Sequence, residues 1–258
     1  MARSQPTLRL HSRSVIVIPA RLASTRLPRK MLLRDTGKYL VQHVYEQACA
    51  AKSASLVVVA TDDDRIRRAV ESFGGNVVMT RADHPTGTDR VAEVAAGLGS
   101  HVVVNVQGDE PQLDPAAIDL LVDLLAADPG SDMATLATPL PDIEAYRNPN
   151  VVKVVCDDRG RALYFSRSPV PMVREGEPDL TARPAKFLQH LGVYAYRRRF
   201  LLKLAATPPH PLEEAEKLEQ LRVLGMGAGI QVGRVPHAHR GVDTPADYAA
   251  FVRAYGEG

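Results

Sequence analysis

Short runs of Val and Ile alternate along this chain with longer amphipathic runs, and that alternation most restricts what it can fold into. Residues 15–18, 56–60, 77–79 and 101–106 are apolar almost throughout, as strands buried on both faces are. Residues 41–51, 64–73, 89–98 and 115–127 carry apolar stripes at helical spacing. Asp114 followed by Pro115 supplies an N-cap and a first-turn proline. The pattern predicts an α/β chain with a mostly parallel central sheet flanked by helices. In such sheets a ligand binds beyond the carboxyl ends of the strands.

The middle of the chain changes character. Residues 151–155 and 162–165 flank the turn signal Asp157-Asp158-Arg159-Gly160, which predicts a hairpin. Residues 168–185 are rich in proline and charge and read as a long excursion. A strand over 187–196, helices over 198–205 and 211–224, and a last strand over 230–235 follow. Thr244-Pro245-Ala246-Asp247 opens a terminal helix, and Thr244 is its cap, which leaves Asp243 free. The expectation is one domain over 15–258, with an inserted α+β lobe near 151–206. A basic extension over 1–14 precedes it, and its Arg- and Ser-rich, acid-free composition fits a frayed terminus or a transit segment.

With 32 Lys and Arg against 30 Asp and Glu, net charge is +2, so the chain is no polycation that coats nucleic acid. No apolar run reaches membrane-spanning length. Cys49 and Cys156 lie in no metal-ligand spacing and read as thiols of a reducing compartment, here the cytoplasm.

Five clusters could carry chemistry. Arg21, Arg26, Arg29 and Lys30 follow the first strand with no acid before Asp35. Such a loop suits a phosphate chain, since Arg grips phosphate oxygens in a fork and Lys acts as a point charge; a solvated basic loop is the alternative. Neither G-x-G-x-x-G nor G-x-x-x-x-G-K-[ST] is present, against an ordinary dinucleotide fold and a P-loop NTPase. Asp109 ends a buried strand where a hard cation would share substrate phosphates, or else it caps a turn. Asp243 precedes a helix start. Residues 80–90 are dense in hydroxyls and charges before a helix N-terminus, which favours anions. Strand alternation over 187–196 sets His190, Gly192, Tyr194 and Tyr196 on one face, with Tyr196 structural.

Taken in order, Pro19-Ala-Arg-x-x-Ser-x-Arg-Leu-Pro-x-Lys30, Ala60-Thr-Asp62, Met79-Thr-Arg-Ala-Asp-His84, Gly87-Thr-Asp-Arg90, Asn105-Val-Gln-Gly-Asp-Glu-Pro111, Tyr164-Phe-Ser-Arg167, His190-Leu-Gly-Val-Tyr194, Leu218-Glu-Gln-Leu-Arg222 and Gly241-Val-Asp-Thr-Pro245 resemble one family, the 3-deoxy-manno-octulosonate (Kdo) cytidylyltransferases. The resemblance implies a Rossmann-like nucleotidyltransferase fold and a reaction: CTP and Kdo give CMP-Kdo and pyrophosphate for lipopolysaccharide assembly. It implies that Arg21, Ser24, Arg26 and Lys30 contact CTP, with Thr80, Thr88, Asp89 and Arg90 binding the nucleotide and their segments helping to frame both nucleotide and sugar. Lys30, Arg21 and Asp109 would be catalytic, and Asp109 and Asp243 would bind Mg²⁺. Arg81, Gln107, Arg167, His190, Tyr194, Glu219 and Gln220 would line the sugar pocket, Arg167 and Gln107 receiving the carboxylate. It further implies a homodimer joined through the lobe. The nearest alternatives are a cytidylyltransferase for sialic acid or 8-amino-Kdo, and a silent nucleotide-binding homologue. Three positions depart from the family pattern: Arg29 where Gly is usual, Thr86 for Ser, and Met172 for an aromatic residue.

Overall fold

The computed structural model describes residues 14–181, 186–238 and 241–256. Its strands are β1 (Ser14–Ala20), β2 (Ala54–Thr61), β3 (Val77–Met79), β4 (Val102–Asn105), β5 (Met133–Pro139), β6 (Lys153–Cys156), β7 (Ala162–Ser166), β8 (Leu188–Arg197) and β9 (Ile230–Arg234). Its helices are α1 (Leu40–Ala50), α2 (Asp64–Ser72), α3 (Gly87–Ala96), α4 (Pro115–Ala127), α5 (Ile143–Arg147), α6 (Arg198–Ala205), α7 (Pro211–Glu216), α8 (Gln220–Gly225) and α9 (Pro245–Gly256). The sheet order is β3-β2-β1-β4-β8-β5-β9, with β6 joined to β8 and β7. The pairs β2–β3, β1–β2, β1–β4 and β5–β9 are parallel, and β8 runs antiparallel to β4 and β5.

Strand alternation places the core on both faces of this sheet. Ile16 and Ile18 of β1 pack with Val41 and Val44 of α1 and with Ile118 and Leu121 of α4. Val15 and Val17, one residue out of phase, pack with Val91 and Val94 of α3 and with Leu201 and Leu204 of α6. Arg197 and Arg198, at the β8–α6 junction, lock two helix ends. Arg197 donates to the carbonyls of Leu125, Asp128 and Ser131, and Arg198 to those of Ala95 and Ala96. Each guanidinium thus satisfies carbonyls that a helix end leaves open.

The expected α/β architecture is present, with five differences in detail. Ser14, assigned to the extension, begins β1; residues 1–13 lie outside the described residues, as do 182–185 of the excursion. The helix expected from Asp89 starts at Gly87, because Thr86 rather than a later residue caps it. The helix expected over 211–224 is two helices, parted at Lys217, whose φ of 54° is left-handed. β5 and α5 were not anticipated. Of the segment 151–206, the β6–β7 hairpin lies off the main strand path but joins the sheet through β6–β8 pairing, and β8 is one of the central strands.

Candidate active site

Three loops converge at the carboxyl ends of β1 and β4. The first follows β1 and closes in a short 3-10 turn, Lys30–Leu32. Arg29 precedes it at φ 56°, a left-handed position where a residue with a Cβ is strained. That accounts for the glycine usual there, and the Arg29 side chain itself is exposed.

The second loop follows β4. A Cβ on Gly108 would lie 2.9 Å from Met31 Sδ and 3.1 Å from the Pro19 carbonyl oxygen. Only glycine lets the two loops approach this closely. The third loop, before α9, is docked by burial of Val242 with Leu27, Leu40, Tyr248 and Phe251. Its backbone joins the second loop through Val242 N–H to the Asp109 carbonyl, 2.8 Å. Thr244 and Asp247 cap α9 reciprocally, so Asp243 is free of that task, as the spacing predicted.

These contacts bring together residues far apart in sequence. Lys30 Nζ donates to Asp109 Oδ2 at 2.5 Å and to Asp243 Oδ1 at 3.0 Å, and Arg26 pairs with Asp243 at 3.0 Å. Lys30 is raised above the ordinary lysine pKa. Burial opposes its charge, but attraction and hydrogen bonding from the two aspartates outweigh that. Arg21 donates to the His84 carbonyl at 2.8 Å, and the His84 ring in turn meets Glu93. The resulting cavity, about 450 Å³, is lined by Arg21, Ser24, Arg26, Lys30, Gln107, Asp109 and Asp243.

A second cavity of about 470 Å³ adjoins it and is lined by Thr88, Gln107, His190, Tyr194, Glu219 and Gln220, among others. Gly87 and Gln107 line both. β5 supports this wall. Thr135 Oγ1 lies 2.9 Å from His190 Nε2 and within reach of the Leu191 and Val193 carbonyls, at the bulge where β8 carries two extra residues. Burial pushes the His190 pKa down to about 3 and raises that of Tyr194, so both rings are neutral hydrogen-bonding groups near pH 7. Gln220 is 3% exposed, and its amide nitrogen has no partner among the described residues. A buried, unpaired donor in a cavity wall suits a ligand oxygen.

Several expected contacts fall elsewhere. Arg90 is fully buried, pairs with Asp62 at 3.1 Å and donates to Thr80 Oγ1, and neither Arg90 nor Thr80 lines the cation-lined cavity. Asp89 belongs to the Thr86 capping box. Thr88 faces the second cavity, where it bonds Glu219, not the cation-lined one. Arg81 is exposed and pairs with Asp83. Arg167 binds the carbonyls of Pro149, Glu216 and Lys217 and does not line the second cavity. Residues that sequence reasoning passed over, Asn150, Val151, Val152, Gln189 and Lys217, do line it. A larger cavity, about 550 Å³, lies against α9, but the charged residue in its lining is the capping Asp247, which suits no anion.

The two carboxylates at Lys30 fit a Mg²⁺ site. They are hard oxygen donors, and one ammonium already touches both. No set of three or more His, Cys, Asp or Glu residues capable of holding a metal occurs among the described residues. Phosphate and water oxygens would complete the shell, as is usual for Mg²⁺.

Comparisons with known proteins identify the family. Residues 15–230 match the cytidylyltransferase family model. The 3-deoxy-manno-octulosonate cytidylyltransferase of Syntrophotalea carbinolica is 53% identical over 90% of this chain and 94% of its own. That of Geobacter sulfurreducens is 52% identical over 90% and 94%. A solved CMP:2-keto-3-deoxy-manno-octonic acid synthetase, complexed with CTP, superposes with a TM-score of 0.88 at 43% identity, covering 95% of this chain and 99% of its own. A Leptospira borgpetersenii cytidylyltransferase, 18% identical with a TM-score of 0.63, shares the fold across 96% of this chain and 88% of its own. On these grounds the chain belongs to the 3-deoxy-manno-octulosonate cytidylyltransferase family.

Proposed function

We infer that this chain transfers the cytidylyl group of CTP to the anomeric hydroxyl of Kdo, giving CMP-Kdo and pyrophosphate. The observation that carries the reading is the pair of adjoining cavities, one cationic and one lined by hydroxyls and amides, that meet at Gly87 and Gln107. The triphosphate belongs in the first, and the polyhydroxy acid in the second. The reacting atoms then meet at the shared wall. The anomeric oxygen forms a bond to the α-phosphorus as the bond to pyrophosphate breaks, and the hydroxyl proton is lost.

Such a displacement needs positioning and charge neutralisation more than a covalent intermediate. Lys30, Arg21 and Arg26 offset the charge that grows on phosphate oxygens. Glu219 and Gln220 hold sugar hydroxyls, while neutral His190 and Tyr194 orient the ring. Asp109 and Asp243 would hold Mg²⁺, which when bound neutralises phosphate charge and lowers the proton affinity of the attacking oxygen. We place the protein in the cytoplasm as a homodimer joined through the hairpin lobe, where Leu163 and Met172 are 61% and 81% exposed.

The test is pyrophosphate release with CTP, Mg²⁺ and a panel of keto-sugar acids. Release with Kdo above all others supports the reading. Release with sialic acid or 8-amino-Kdo alone, or with none, overturns it.

A further inference from the structure

Lys153 is wholly buried at the start of β6, yet the proposed reaction gives it no task. Its ammonium has three donors and three acceptors: the carbonyls of Asn148 at 2.9 Å, Val151 at 2.6 Å and Arg167 at 2.6 Å. One acceptor, Val151, is part of a wall of the second cavity together with Asn150 and Val152, and another, Asn148, lies two residues before that wall. The third is the backbone of Arg167, whose guanidinium continues the chain of contacts. It donates to the carbonyl of Pro149, next to the first wall residue Asn150, at 2.9 Å, and on the opposite side to those of Glu216 at 2.6 Å and of the wall residue Lys217 at 3.4 Å. Glu216 closes the circuit by accepting from Arg167 N–H and Ser166 Oγ, both at 2.7 Å. Beyond it, Lys217 through Gln220 form the facing wall.

We propose that Lys153 is a positioning residue for the sugar substrate, working with Arg167 as a staple that sets the spacing between the 148–152 and 217–220 walls. The proposal rests on the reading of the second cavity as the sugar site. It gives Arg167 a different task from the one the family resemblance implied: it holds the cavity's frame rather than the carboxylate of its occupant. Irregular loops carry carbonyls that a sheet or helix would satisfy, and a buried cation is what lets them stay folded without water. Methionine at 153 keeps the stem and strips all three donors.

The experiment is steady-state kinetics on wild type, Lys153→Met and Arg167→Met, with CTP and either Kdo or its carboxamide varied. Wild-type pyrophosphate release with Kdo is measured first; its absence retires the sugar-site reading and this proposal with it. Given that activity, both variants are expected to raise KM for Kdo and for the carboxamide by the same factor, roughly tenfold, with KM for CTP unchanged. Unchanged KM for Kdo in a folded variant overturns the proposal while leaving the reaction intact. So does a parallel rise in KM for CTP, the mark of a general structural defect. A loss confined to the acid, sparing the carboxamide, overturns it in favour of direct ionic contact. If Lys153→Met does not fold, Arg167→Met alone decides, because Arg167 is partly exposed and its removal buries no charge.

Discussion

Gly108→Ala tests whether the cation loop and the metal loop are held in contact. The added Cβ would meet Met31 Sδ at 2.9 Å and the Pro19 carbonyl oxygen at 3.1 Å. Ordinary contacts between nonbonded carbon atoms begin near 3.5 Å, so each neighbour must yield by several tenths of an ångström. Met31 can, since its thioether end swings. Pro19 cannot without disturbing β1, which is buried along its whole length. The Gly108–Asp109 peptide therefore moves, and it carries Asp109 away from Lys30. Overpacking of this kind costs roughly 1–3 kcal/mol, or about 2–12 °C of Tm for a chain of this size. The displacement, about half an ångström, is expected to lower kcat roughly tenfold, since misplacement by a full ångström costs about a hundredfold. Pyrophosphate release at saturating substrates and a thermal melt read both effects. Gly99→Ala is the control, because a Cβ there meets nothing within 4 Å. Wild-type kcat and Tm in Gly108→Ala would refute the claimed contact.

Lys30→Ala should lower kcat by about 10²–10³ with an unaltered circular dichroism spectrum, as loss of an electrostatic stabiliser does; unchanged turnover removes Lys30 from the mechanism. Glu213→Ala strips the partner of Arg222, a buried pair at 2.6 Å, and should cost about 3–5 kcal/mol in urea unfolding. A loss below about 1 kcal/mol would mean that Arg222 finds solvent. His190 sets a pH dependence. Its imidazole titrates near 3 when folded, against about 6.5 unfolded, so its stabilising contribution is complete above pH 6.5 and is lost as pH falls toward 3. Between about pH 6.5 and 5 that amounts to roughly 2 kcal/mol, which His190→Gln should not lose; equal pH slopes in the two proteins would contradict the buried, neutral ring.

Some of this site could be read from residue order. Thr244 and Asp247 sit at capping spacing, so Asp243 stood out as unengaged; its contact with Lys30 was not legible from the sequence. The apolar strands and their ligand-bearing ends followed from pattern alone, because continuous Val and Ile runs have few other uses. Other parts had no such signal. Thr88, Asp89 and Arg90 were read as one set, but a helix turns by about 100° per residue, so they fan over more than half of its circumference. One faces the sugar cavity, one caps, and one is buried against Asp62. Their spacing contained that distinction, and a motif read as a string discards it. β5 was missed because Met133–Pro139 offers Ala and Thr in place of Val and Ile, although both of its neighbours bury it. The break at Lys217 has no local cause in composition: a lysine in the left-handed region is held there by its surroundings. Arg167 was given to the substrate because a cation near a sugar acid suggests an ion pair; three backbone carbonyls claim it instead.

On the function proposed above, two adjoining cavities join the α-phosphorus of CTP to the anomeric oxygen of Kdo. Kdo enriched with heavy oxygen at its anomeric hydroxyl, supplied with CTP and Mg²⁺, tests it in one measurement by phosphorus NMR of the product. Heavy oxygen is expected in the bridge between the sugar and the α-phosphorus of CMP-Kdo, and none in pyrophosphate. Label in the pyrophosphate, or a labelled sugar recovered without any phosphorus bond, would contradict it.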